Sequence, residues 1–325
     1  MAGKTVPINK FRGLNNLTDP ATMKPGECVT ADNGYFTDAG AFTRRRGRTK
    51  VFTGTPHSFW SDGEIALFVE AGELKQLLPD YSTRFISTVG DAPMAYAGMP
   101  GLVVYSNGGI IGMVGGTVTT PPATRTIEGG IEVETFMERL PAGELLCNWN
   151  GTLCIAARVD DETWVYMTPA YDWSGIDIRS DYFRYKGAPT LLVAVDDGIY
   201  IGAGNEIHFL SGQGTKWETR RVLNSTAVKG ASVVLDGQDI GLSENGQPVP
   251  ISGKVALFAT DGAHLGMNGG QVLSLSGGRI VLPPAATGAV LFENKSGTPL
   301  ATFVLTGETS TDKAYQPQPI EVDSH

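Results

Sequence analysis

Only three cysteines, Cys28, Cys147 and Cys154, and four histidines, His57, His208, His264 and His325, occur in 325 residues. An odd and sparse set of cysteines builds no disulfide framework and fits a reducing compartment. Cys147 and Cys154 lack a zinc-ligand spacing, and the scattered histidines form no motif, so no metal site is expected. No helix-period pattern of useful length is present, and no apolar run reaches about 18 residues. The opening Met1-Ala-Gly-Lys-Thr-Val-Pro7 has no apolar signal core. Neither a secretory signal nor membrane insertion is expected. A Gly-X-Ser-X-Gly nucleophile turn and a P-loop are also missing, which removes two common routes to catalysis. The expectation is a chain with no cofactor and no enzyme activity.

Positive charge is the scarcer sign: 25 Lys and Arg stand against 34 Asp and Glu, a net charge of −9. This argues against free binding to nucleic acid as a basic protein. Two readings of the acidity remain open. It confers ordinary colloidal solubility, or it lines a surface that DNA passes without sticking.

Turn residues, by contrast, are plentiful, with 42 Gly and 19 Pro, and the apolar fraction is 41%. Such a composition in a chain this long points to many short strands around a large core. A glycine-led apolar strand then returns at intervals of ~45 residues, the size of a four-stranded propeller blade. It occupies Asp62 to Val69, Asn107 to Val114, Asn150 to Ala157, Asp197 to Ala203, Ser252 to Ala259 and Thr287 to Glu293. A single such sheet cannot bury both of its faces, so several must pack around an axis. The expected fold class is all-β: a β-propeller of about five to six blades over residues 53–305, with five firm repeats and a partial sixth. A longer interval before Gly253 is assigned to a loop, Leu235 to Val249. Val103 to Val114, Ile199 to Leu210 and Val255 to Met267 read as hairpins, the last across Asp261-Gly262.

Residues 1–52 differ. Their first half is polar and turn-rich, too poor in apolar residues to fold alone, and is expected to lie on another surface as an extended arm. The second half reads as two short strands joined through Asp38-Ala-Gly40. Residues 306–325 are polar and contain proline, which suits a loose tail or a closing strand.

Three groups of residues are candidates for function. The carboxylates Asp160-Asp161-Glu162 and Asp196-Asp197 would serve a glycosidase only if they faced each other across a cleft, and Asp at strand ends also simply favours turns. The Ser-X-Asp-X-Gly-X-Thr-Trp box of sialidase-type propellers is missing. Trp164 to Tyr185 holds the densest aromatic cluster, in which Trp164, Tyr166, Tyr171, Trp173 and Tyr182 are the candidates, readable as an interface anchor, a glycan platform or packing between blades. Arg44, Arg45, Arg46 and Arg48 form a basic patch in an acidic chain. Their guanidinium forks suit an acidic partner surface, or they protect a solvated strand edge from aggregation.

Phe11-Arg-Gly-Leu-Asn-Asn-Leu-Thr-Asp-Pro20, Pro25 to Asn33, and Asp38-Ala-Gly40 followed by Arg44-Arg-Arg-Gly47 resemble the start of a group of bacteriophage virion proteins. Tyr166 to Trp173, Asp181-Tyr-Phe183, Gly198 to Gly212, Ala263 to Val272 and Arg279 to Pro283 are similar to the same group, so that the likeness covers about two thirds of the chain. These proteins in turn resemble the propeller-bearing tail hub, or nozzle, of short-tailed phages. The resemblance implies a virion protein made in the host bacterial cytoplasm and assembled as a homo-oligomeric ring of six copies below the portal and its adaptor. The arm would clamp a neighbour or the adaptor, and the genome would pass through the lumen without specific binding. No catalytic residue carries over. The alternative expectation is a tail-associated propeller module that binds a host glycan.

Overall fold

In the structure, a computed structural model, the residues described are 10–31, 34–36, 40–44, 53–116, 124–128, 131–135, 139–177, 179–213, 216–240, 242–244, 247–249, 251–277, 279–295 and 298–306. They form an all-β fold of several antiparallel sheets. The first sheet joins His57–Ser61, Ala66–Glu70, Glu73–Leu77 and Thr83–Thr88 in chain order. The second holds three strands, Ala95–Met99, Leu102–Ser106 and Ile111–Val114. The third runs Leu145–Trp149, Thr152–Val159, Glu162–Met167 and Tyr182–Lys186, and the fourth Pro189–Val195, Gly198–Ala203, Glu206–Gln213 and Lys216–Leu223. The fifth orders Ser232–Asp236, Lys254–Ala259, Ala263–Gly266 and Val272–Ser274, and a sixth unit is the two-stranded ribbon of Thr287–Lys295 and Thr298–Thr306.

The sheets pack on one another through both faces. Val69, Leu74, Val103 and Tyr105 fill the space between the first and second sheets, while Met99, Val104, Leu153 and Ile155 fill that between the second and third. Cys154, Val165, Ile199 and Ile201 join the third to the fourth, and Val193, Tyr200, Ala256 and Phe258 join the fourth to the fifth. Double-sided burial explains why the second strands read as unbroken apolar runs, such as Leu153-Cys-Ile-Ala156 and Ile199-Tyr-Ile201, rather than as alternating patterns. The leading strands lie nearest their neighbours: Leu145–Trp149 sits beside both Ala95–Met99 and Pro189–Val195.

The repeat glycines work through the turns. In the third sheet Asn150 and Gly151, at φ 50° and 85°, form a two-residue hairpin connection whose left-handed conformation Asn and Gly tolerate best. The residues before those glycines also link one sheet to the next. Asn150 Nδ2 donates to the Asp196 carbonyl oxygen at 2.9 Å, and the Asp196 carboxylate accepts from the Lys254 N–H at 2.8 Å.

Two expectations need correction. In the second sheet the strand at Asn107 to Val114 is the third of its sheet; the strand that matches the repeats at Asp62, Asn150, Asp197 and Ser252 is Leu102–Ser106, led by Gly101 at φ 80°. The interval before Gly253 is not merely a loop, because it carries a hairpin of Leu242–Glu244 and Gln247–Val249 inserted between the first two strands of the fifth sheet. The three expected hairpins pair as read, the last turning over Thr260-Asp261-Gly262.

Within the arm, Gly34–Phe36 pairs with Phe42–Arg44, matching the expected short strands. Phe11 N–H donates to the Gly40 carbonyl oxygen, and the Phe11 and Phe42 rings lie 6.5 Å apart. The preceding segment rests on the far end of the chain: Asn16 N–H donates to the Arg279 carbonyl oxygen at 3.0 Å. Residues 307–325, most of the expected tail, lie outside the described residues.

Candidate functional site

Between the third and fourth sheets lies a cleft of ≈ 930 Å³, a size typical of ligand sites, about 300–1,000 Å³. Its apolar wall comes from Trp149, Met167, Phe183 and Trp217. Trp149 ends the first strand of the third sheet, Phe183 lies on its last strand, and Trp217 is the second residue of the outermost strand of the fourth. The Trp217 ring is 5.5 Å from Trp149 and 5.4 Å from Phe183, both inclined, so the three form a continuous aromatic surface in the edge-on geometry rings prefer. Trp149 Nε1 is buried and has no hydrogen-bond partner among the described residues.

The polar border is supplied by turns. Asn150 follows Trp149 directly, and Ser180 and Asp181 lead into the Phe183 strand. Asp181 is oriented by the Asp177 N–H at 3.1 Å and the Ser180 hydroxyl at 3.0 Å. Asp197 accepts from the Gly269 N–H at 2.7 Å, which fixes it against the fifth sheet. Among the described residues that line the cleft there are two carboxylates and no Lys or Arg.

The aromatic cluster singled out in the sequence divides. Trp164 and Tyr182 stack at 4.6 Å with 8° between their planes, and Tyr166 packs against both, on the face of the third sheet turned to the second. Arg184 lies 5.6 Å over the Trp164 ring, while Trp164 Nε1 donates to Glu162. Tyr182 also reaches the cleft. Trp173 is half-buried and donates from Nε1 to the Gly151 carbonyl oxygen at 2.7 Å. Tyr171 is 70% exposed at φ 61°, and its N–H donates to the same carbonyl oxygen. In the first two sheets Trp60 stacks on Tyr96 at 5.9 Å.

The carboxylate clusters lie at turns rather than across a common pocket. Asp160, at φ 54°, heads the turn into Glu162–Met167, and Asp196 ties the fourth sheet to the fifth. The N–H of Lys254 holds the Asp196 carboxyl below its ordinary range, against the opposing effect of partial burial. Of the basic patch, Arg44 is exposed at the end of its strand, while Arg45, Arg46 and Arg48 lie outside the described residues. No group of three or more His, Cys, Asp or Glu among the described residues is placed to hold a metal ion. No described helix is long and apolar enough to cross a membrane.

Phe183 belongs to the aromatic stretch singled out in the sequence, but Trp149 and Trp217 did not stand out beside it, because three different strands bring the three together. The available signal was an aromatic residue beside a turn in each case.

No protein-family model and no curated protein matches the sequence. Among solved structures, the chain is similar to the N-terminal domain of Nup159 at 12% identity, over 83% of this chain and 77% of that one, with a TM-score of 0.46. It is similar to a putative 6-phosphogluconolactonase from Bacteroides uniformis at 10% identity, over 83% and 80%, with a TM-score of 0.42. A third likeness is to the AfRom2 CNH domain, at 8% identity over 76% and 93%, with a TM-score of 0.35.

Proposed function

We propose that the chain is a β-propeller and a structural protomer of a phage tail, part of a hub or nozzle ring through which the genome passes, with no catalytic step. The propeller reading is supported by consecutive sheets that use both faces and by leading strands that lie side by side. The phage assignment rests on the sequence resemblance.

The observation that carries the assembly role is the exposed side of the arm. Phe11, Leu17 and Phe42 are 37%, 58% and 43% exposed, and Arg44, two residues from Phe42 on the same strand, is exposed as well. Large apolar groups on a pinned segment, next to a cation, suit contact with a second copy or an adaptor whose surface is acidic. In a chain of net charge −9, another copy supplies such a surface. The acidity also keeps passing DNA from adhering through its phosphates.

The deciding experiment is the mass in solution across a protein concentration series at low and moderate salt, with negative-stain microscopy of the largest species. Closed rings, six-fold in the resemblance, are the expected result. Rings that persist unchanged in the triple variant Arg44→Ala, Arg45→Ala, Arg46→Ala would remove those arginines from the interface. A strict monomer at every concentration, with phage adaptor present, would overturn the assembly role.

A further inference from the structure

We propose that the cleft between the third and fourth sheets is a binding site for a neutral oligosaccharide. This goes beyond the ring assignment and holds equally for a single protomer.

The argument starts from the lining. Trp149, Phe183 and Trp217 line one side of the cleft, with ring centroids 5.4–5.5 Å apart and planes inclined by 57° and 66°. An aromatic lining of this kind attracts a ligand that presents an apolar face to a ring. Purely apolar ligands would leave the other side unused, because the border carries Asn150, Ser180, Asp181 and Asp197. A pyranose matches both: axial C–H groups on one face, hydroxyls around the edge.

Hydrogen bonding points the same way. Asp181 and Asp197 are already held in place by backbone N–H groups, so their remaining lone pairs are preorganised for hydroxyl donors.

Charge narrows the class. With two carboxylates and no Lys or Arg among the described lining residues, the site repels a sialic acid, a uronic acid or a sugar phosphate. The candidate ligand is therefore uncharged.

The test uses the full chain, titrated with maltotriose, cellotriose and chitotriose, read by tryptophan fluorescence and by saturation-transfer NMR. Sialyllactose serves as the anionic comparison. The expected result is saturable binding of at least one neutral trisaccharide, with a Kd of about 1 mM or tighter, and at least tenfold weaker binding of sialyllactose. Trp217→Leu keeps apolar bulk but loses the ring face, and should weaken binding at least tenfold. Ser180→Trp fills the border from an exposed position without touching the core and should do the same, which guards against misfolding of the first variant. Absence of a saturable signal with all three neutral sugars overturns the proposal. So does unchanged binding in both variants, or tighter binding of sialyllactose than of the neutral sugars.

Discussion

Asn16 grips the backbone of Val281 with both ends of its side-chain amide, donating from Nδ2 to the carbonyl oxygen and accepting from the N–H, each at 2.9 Å. One residue of the arm thus mimics a strand partner for a segment near the other end of the chain. The bond of Asn16 N–H to the Arg279 carbonyl oxygen extends the same contact.

If this grip seats the arm, Asn16→Ala should release it while leaving the sheets intact. Two exposed hydrogen bonds of this kind contribute about 1–2 kcal/mol, too little to unfold the domain but enough to shift a local opening equilibrium about tenfold. The expected readout is faster hydrogen exchange and proteolysis at residues 12–28 and 279–281, with the melting of the sheets almost unchanged. Equal protection in wild type and variant would show that other arm contacts do the seating.

A second test concerns the joint between the fourth and fifth sheets. The fully buried Tyr200 donates its hydroxyl proton toward the carbonyl oxygens of Met267, at 2.6 Å, and Gln271, at 2.9 Å. Burial raises its pKa above the ordinary tyrosine value, so the phenol stays neutral and remains a donor throughout the physiological range. Tyr200→Phe keeps the ring but removes the donor. The expected loss is about 1–3 kcal/mol, read as a lower urea midpoint at unchanged m-value. A loss below the error of the measurement would mean that water satisfies both carbonyls in the variant.

Much of this architecture was legible because its constraints are local. Gly151 needs a left-handed turn, Asp261-Gly262 lies in another turn, and the runs after them need burial on both faces, so each leaves a mark within about ten residues. The same locality produced the misplacement in the second sheet. Asn107-Gly108-Gly109 carries turn chemistry as strong as that of Asn150-Gly151, and nothing in the letters says which turn precedes the second strand. The inserted hairpin at 242–249 was hidden by its polar sequence. The cleft was hidden for the opposite reason: sequence density favoured Trp164 to Tyr182, whereas Trp149 and Trp217 meet only through the packing of separate sheets.

Thiol chemistry offers a third check. Cys147 and Cys154 are direct partners across two strands, yet Cys154 is fully buried while Cys147 and Cys28 are half-buried. The neighbouring Cys147 thiol and burial together push the Cys154 thiol up. Because the thiolate is the reactive form, iodoacetamide at neutral pH should label Cys28 and Cys147 on the native protein well before Cys154. In urea all three should react alike. Labelling of native Cys154 as fast as Cys28 would mean that the first two strands of the third sheet open readily.

The last prediction is a pH dependence located at His264. Its ring is 5.7 Å from Phe258, both nitrogens are buried without a hydrogen-bond partner among the described residues, and the Asp261 carboxylate is no nearer than 3.9 Å. Burial lowers the His264 pKa, and the attraction of Asp261 only partly opposes it. The sign follows from linkage. A histidine with a folded pKa below its unfolded value of about 6.5 binds more protons when unfolded, so its contribution to stability is intact above that value and is lost as the pH falls below it. Carboxylate titration dominates only nearer pH 4, which leaves the interval from about pH 6.5 to 5 for the imidazole. Urea midpoints measured from pH 8 to pH 5 should therefore fall in wild type more steeply than in His264→Gln, with the divergence beginning near pH 6.5. Parallel curves would mean that the imidazolium is accommodated in the fold, with Asp261 swinging in to pair with it.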